Sequence, residues 1–171
     1  RQWRPLSDAC TGPAVICALV GEHYVYPEGG RAAANALRNL ASKATTVWDK
    51  AFVQTALSRV LLNSRHVKGA RAAAQEAVKL DPVSGRAHLA LGQVALQERQ
   101  EEQALAAFTK AVELDPTHGM ARLALADVLA RKAEETPRAI QEYETFLKLA
   151  GSSEEAKRVK KALPILKRRV K

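Results

Sequence analysis

GRAHLALGQVALQERQEEQALAAFTKAVE, residues 85–113, closes with Leu114-Asp115-Pro116, and its reading decides the fold. Leu80-Asp81-Pro82 stands 34 residues upstream of that close, and the same interval separates Leu57 from Leu91, Ala70 from Ala104, Ala77 from Ala111 and Val78 from Val112. A third copy begins at Gly119. Leu125 falls 34 after Leu91, whereas Ala139 falls 35 after Ala104, so one residue is inserted near Thr136-Pro137. Within residues 85–98, Ala87, Leu91, Val94 and Ala95 recur at helical spacing, and in 101–114 Ala104, Ala107, Phe108, Ala111 and Leu114 do the same. Arg99-Gln100 joins the two runs. Asp-Pro stops the second, because proline lacks an N–H and disfavours helix in the residue before it. Each copy is thus a helical hairpin whose one apolar face is buried only by stacking on the next copy.

Composition agrees with close-packed helices. The chain has 171 residues, 47% hydrophobic, 26% charged and 5% aromatic, and alanine makes up about a fifth of it. Alanine is the best helix former and lets helices approach closely. Sandwiches, barrels, aromatic-rich nucleic-acid folds and disorder are disfavoured. No apolar run reaches the roughly 18 residues of a membrane-spanning helix. The chain begins at Arg1 without Met, which reads as a trimmed or mature piece.

The period and pattern resemble the tetratricopeptide repeat family over residues 51–151. Small residues stand where paired helices touch, at Ser58, Gly92 and Ala126 and at Ala70, Ala104 and Ala139. Leu57, Leu91 and Leu125 fill the first helix. Ala74, Phe108 and Tyr143, then Ala77, Ala111 and Phe146, fill the second. Three departures stand out. Gln54, His88 and Arg122 replace the family's early aromatic; Leu61, Ala95 and Leu129 replace its later Tyr; Gly151 takes the third proline's place. The fold class expected is all-α, a right-handed superhelical array of antiparallel hairpins, a tetratricopeptide-like α-solenoid with a C-terminal capping helix. The expected divisions are an N-terminal helical segment at 1–50, repeats at 51–84, 85–118 and 119–151, and a basic cap at 152–171. Helices are expected over 51–64, 67–80, 85–98, 101–114, 119–132, 136–149 and 153–169.

In the N-terminal segment, Gly29-Gly30-Arg31-Ala32-Ala33-Ala34 echoes Gly69-Ala70-Arg71-Ala72-Ala73-Ala74. A helix over 30–42 therefore reads as the second half of a degenerate repeat, with 13–24 as its first half. Cys10 and Cys17 read either as small buried hydrophobes or as a disulfide across the bend at Gly12-Pro13. A bond would place the chain in an oxidising compartment such as the periplasm; otherwise a cytoplasmic location is favoured. Ala and Arg usage suggests a high-GC bacterial source.

The net charge is +9, unevenly spread: residues 152–171 carry +6, 85–151 carry −2 and the first 84 carry +5. The last segment opens on Ser152, Ser153, Glu154 and Glu155, a helix-start signal. Val159, Leu163, Leu166 and Val170 form its apolar stripe, and Pro164 should kink it near 160–163. Its basic residues read as a solvated capping face, or as a contact for an acidic partner, nucleic acid or anionic membrane.

No catalytic constellation emerges. His23, His66, His88 and His118 are scattered, none in a metal-ligand pair. His88 reads as a packed residue and His118 as solvent-facing in a turn. Glu101, Glu102, Glu134 and Glu135 complement helix dipoles at second-helix starts. The chain is not expected to be an enzyme, and no cofactor, metal or small-molecule substrate is expected.

The family resemblance implies a concave surface lined by the first helices. Its ligand-facing slots hold Phe52, Thr55, Arg59 and Leu62; then Arg86, Leu89, Gln93 and Leu96; then Met120, Leu123, Asp127 and Ala130. That strip reads as apolar, with Leu89 and Leu123 at its centre, and such strips mark partner sites when exposed; the alternative reading is that the N-terminal segment covers it. Some family members clamp a chaperone's terminal carboxylate with Lys and Asn in these slots. Thr55 and Arg59, Leu89 and Gln93, and Leu123 and Asp127 depart from that clamp. The expected function is a non-catalytic adaptor or scaffold that binds a partner helix, peptide or folded protein. The alternative is an accessory or regulatory domain of a larger enzyme or a secretion or cell-envelope assembly.

Overall fold

The computed structural model describes residues 30–170. The expectations for 13–24, Cys10 and Cys17 lie outside these residues. Among the described residues there are eight α-helices and no strand: α1 Gly30–Lys43, α2 Val47–Asn63, α3 Val67–Leu80, α4 Gly85–Gln97, α5 Glu101–Leu114, α6 Gly119–Leu129, α7 Thr136–Leu149 and α8 Glu154–Arg169. A short 3₁₀ turn, Ala133–Glu135, precedes α7.

Local chemistry sets the boundaries. The side chains of Thr46, Ser84 and Ser153 accept hydrogen bonds from the N–H groups of Asp49, Ala87 and Ala156 at 3.0, 3.3 and 3.1 Å, opening α2, α4 and α8. Each satisfies one of the orphan donors of a first turn. The Thr46 cap starts α2 four residues before the expected 51, a start that hydrophobic period does not reveal. At the other ends, Asp81 and Asp115 leave the helix with nearly identical backbones, φ −136° and −135°, as residues before proline must. α6 stops at Leu129 rather than 132, and the inserted residue is absorbed in the longer connection that holds the 3₁₀ turn. α8 continues through Pro164.

The two short hairpin turns share a feature. Arg65 and Arg99 both adopt φ 59°, in the left-handed region. In each turn the next N–H and the arginine's own N–H return to carbonyls of the closing helix: His66 to Leu61 at 2.8 Å and Arg65 to Leu62 at 2.9 Å, then Gln100 to Ala95 at 2.9 Å and Arg99 to Leu96 at 3.0 Å. This is the Schellman closure, usually given to glycine because a side chain there strains the backbone. Both arginines are exposed. Arg65→Gly and Arg99→Gly should therefore each raise stability by about 0.5–1 kcal/mol. A fall in the urea midpoint of both would show that the side chains do more than the strain costs.

Hairpins α2–α3, α4–α5 and α6–α7 pack internally and each second helix packs on the next first helix; α1 packs on α2 and α8 on α7. α2 also touches α4, and α4 touches α6. First helices thus adjoin one another along the inner side, which makes it concave. One core cluster holds Leu37, Val53, Leu57, Ala70, Ala74 and Val94. The other holds Phe108, Leu125, Tyr143, Phe146 and Val159.

The small residues at the helix crossings act differently in each hairpin. Ser58, buried, donates its hydroxyl to the Ala70 carbonyl at 2.9 Å. Gly92 lies under Phe108: a Cβ there would stand 2.4 Å from the ring. Gly92 thus packs against the second helix of its own hairpin, and its nearest neighbour there is the ring. The replaced aromatics find polar substitutes. His88 Nε2 lies 3.0 Å from the Pro82 carbonyl oxygen. Thirty-four residues on, Arg122 donates to the Pro116 carbonyl at 2.7 Å and pairs with Glu142 at 2.7 Å. His88 is half-buried, as expected of a packed residue. Arg71, on α3, donates to Glu98 at the end of α4 and to Gln100 at the start of α5, tying one hairpin to the next.

Candidate functional site: the concave face

Three rows of the inner face hold the expected site residues, each with one residue from α2, α4 and α6 at 34-residue intervals. Thr55, Leu89 and Leu123 form the middle row and are buried, at 6%, 8% and 4% exposure. Thr55 turns its hydroxyl onto the Ala51 carbonyl at 2.9 Å. Leu89 and Leu123 belong to the core cluster around Phe108 and Leu125. The expectation of an exposed apolar strip centred on these leucines is corrected: a first helix packs on its own second helix, on the preceding hairpin and on its neighbouring first helices. The middle row is a floor between those contacts.

The flanking rows are more open. One is Phe52, Arg86 and Met120; Met120 is 46% exposed, Arg86 is exposed and Phe52 is half-buried. The Arg86 guanidinium carbon lies 6.0 Å from the centroid of the Phe52 ring, within cation–π range. The other row is Arg59, Gln93 and Asp127. Arg59 is exposed and Gln93 half-buried. Asp127 is engaged internally: it accepts the Tyr143 hydroxyl at 2.6 Å and Arg158 at 2.9 and 3.2 Å. It ties α6, α7 and α8 together. Burial first, and the Asp127 bond next, push the Tyr143 phenol well above its ordinary value. Leu62, Leu96 and Ala130 are partly buried.

Two turn residues join this face that helix periodicity did not select. Asp115 accepts the Thr117 hydroxyl at 2.7 Å and its N–H at 3.1 Å, and the hydroxyl bond chiefly holds its carboxyl below the usual range. His118 was expected to face solvent. It is half-buried and caps α6, its Nδ1 accepting from the Ala121 N–H at 3.3 Å. Burial lowers its pKa below the ordinary 6.5; Asp115 opposes the shift, and Arg86 and Arg59 add to it. The only signal for either residue was the recurrence of Asp-Pro and of the cap two residues later, where His118 stands 34 after Ser84.

This gives a pH prediction. The unfolded chain protonates His118 more readily than the folded one does. Stability is therefore full above the ordinary imidazole value and declines as pH falls through it toward the lowered one. Protonation also removes the Nδ1 lone pair that caps the helix. Urea midpoints should fall between about pH 7 and pH 5. His118→Ser, which restores the cap seen at Ser84, should flatten that slope. An equal slope in the variant would assign it to other groups.

Among the described residues, no three His, Cys, Asp or Glu side chains gather as a metal site would require. The open rows bear aromatic, thioether, amide and guanidinium groups over an apolar floor. The class defined is a helical-repeat protein-interaction module. The tetratricopeptide repeat model matches residues 55–118 and 95–154, and the chain belongs to the tetratricopeptide repeat family. Among solved structures, the chain is similar to the MamA protein, at 16% identity and TM-score 0.67, over 92% of this chain and 82% of that one. It is also similar to the type III secretion chaperone SycD of Yersinia enterocolitica, solved with a peptide of the translocator YopD, at 20% identity and TM-score 0.61, over 69% of this chain and 92% of that one. Both likenesses are in fold. No curated protein sequence matches.

Proposed function

We propose that the chain is a non-catalytic adaptor or scaffold that holds a protein or peptide partner along its concave face, between the Phe52–Arg86–Met120 row and the Arg59–Gln93 side. The observation that carries this is the exposure of Arg86 and Met120 in register with Phe52, above a floor already closed by Leu89 and Leu123. Exposed large apolar side chains beside arginine are the composition of interface anchors. That the similarly folded SycD was solved with a translocator peptide supports a peptide as the occupant. The repeats 51–84, 85–118 and 119–151 serve here as one binding unit, closed by the helix within 152–171.

Arg86→Glu with Met120→Glu should weaken partner capture about tenfold or more, since anchor residues each contribute on the order of 1–2 kcal/mol or above. Both side chains are exposed, so helicity and melting should hold. Matched changes on exposed second-helix positions, Gln75→Glu with Lys110→Glu, should leave capture intact. The reading fails if the groove pair binds normally, or if the second-helix pair loses the partner instead.

A further inference from the structure

α8 carries two surfaces on opposite sides. Ala156, Val159 and Leu166 are buried, with Leu163 packed beside them, and this stripe closes the end of the array. The opposite side presents Lys157, Lys160, Lys161, Pro164, Ile165 and Arg168. These positions recur at helical spacing and form one continuous face about 17 Å long.

Three other cations of the helix have internal partners. Arg158 pairs with Asp127 at 2.9 Å, Lys167 with Glu144 at 2.7 Å and Lys157 with Glu154 at 2.5 Å. Lys160, Lys161 and Arg168 have no carboxylate partner among the described residues. Capping does not need them, because the buried stripe already covers the last hairpin. Between them Ile165 is 57% exposed, next to the exposed Pro164.

We infer that this outward face of α8 rests on an anionic lipid surface. Its cations are all Lys or Arg, which respond to a diffuse negative potential. The face offers no amide, hydroxyl or aromatic group of the kind that reads bases or sugars. Ile165 and Pro164 would be desolvated without gain against nucleic-acid phosphates. At a bilayer they enter the boundary between headgroups and acyl chains, where apolar area is favourable. No described helix is long and apolar enough to cross a membrane, so the contact is peripheral. This surface shares no residue with the proposed concave site, and neither reading depends on the other.

The test is sedimentation of the whole chain with phosphatidylcholine vesicles that contain or lack phosphatidylglycerol. Binding should require phosphatidylglycerol and should be released by raised salt. Each cation near such a surface contributes about fivefold, so K160Q/K161Q/R168Q should weaken partitioning about a hundredfold. Ile165→Ser should weaken it severalfold. All positions are exposed, so circular dichroism should show the variants folded. Equal binding to vesicles of phosphatidylcholine alone, or an unaffected triple variant, would overturn the inference. So would unchanged binding by Ile165→Ser, or tighter binding to duplex DNA than to the vesicles.

Discussion

Glutamate at both Leu89 and Leu123 should unfold the array at room temperature. The two side chains stand 34 residues apart, on adjoining first helices, and are 8% and 4% exposed. Removing each leucine forfeits about 1.5–3 kcal/mol of apolar burial. Each carboxylate would then be left in the apolar cluster around Phe108 and Leu125, unpaired, at a further cost of several kcal/mol. The combined loss rivals the whole stability of an ordinary domain, about 5–15 kcal/mol. Far-UV circular dichroism should report lost helicity in the double variant. Leu89→Met with Leu123→Met keeps volume and polarity, and should cost under about 1.5 kcal/mol per site. If the glutamate variant instead melts like the wild type, the middle row is an open strip and partner contact returns to its centre.

That expected outcome inverts what the helix pattern alone implies, and the reason is geometric. Periodicity shows which face of a helix meets its own hairpin partner. The stripe through Leu91 and Leu125 was legible in this way, and so were seven helices to within a few residues. A first helix in a stacked array has further neighbours, and α4 touches α2, α3, α5 and α6. Those contacts lie between residues far apart in sequence and leave no period of their own. Leu89 and Leu123 were accordingly placed on the right helices with the wrong depth. Asp127 shows the same blindness in polar form: its partners Tyr143 and Arg158 come from two later helices. The turns were placed, at Arg99-Gln100 and between 64 and 67, but their conformation was illegible for a different reason. Arg65 and Arg99 occupy a backbone region that residue type normally assigns to glycine, so no signal marked it. Thr46 begins α2 through a cap whose donor, Asp49, precedes the first core residue, Ala51.

The crossing of α4 and α5 should behave as a single packed object in a double-mutant cycle. Phe108 is wholly buried, and its ring occupies the space a side chain at Gly92 would need, with a built Cβ meeting Cε1 at 2.4 Å and Cδ1 at 2.5 Å. A flexible neighbour would swing aside, but a ring enclosed on all sides has nowhere to go. Gly92→Leu should therefore cost about 1–3 kcal/mol through overpacking, even though glycine is a poor helix former. Phe108→Ala should cost about 3–5 kcal/mol through the cavity it leaves. Combined, the two defects are complementary: leucine at 92 projects into the volume the ring vacated. The double variant should be more stable than Phe108→Ala alone, with a coupling of about 0.5–3 kcal/mol between the sites. Urea midpoints of the four proteins give the cycle directly. Simple additivity would mean that α4 and α5 relax apart rather than repack. The other hairpins argue against that, since they divide the same space in other ways. By the repeat's spacing the Phe108 slot holds Ala74 in the first hairpin, where Ser58 donates its buried hydroxyl to Ala70, and Tyr143 in the third, where Ala126 takes the Gly92 slot. Three hairpins of one period can therefore carry different pairs at this crossing only because each pair is matched within itself, and the cycle measures that match in the middle one.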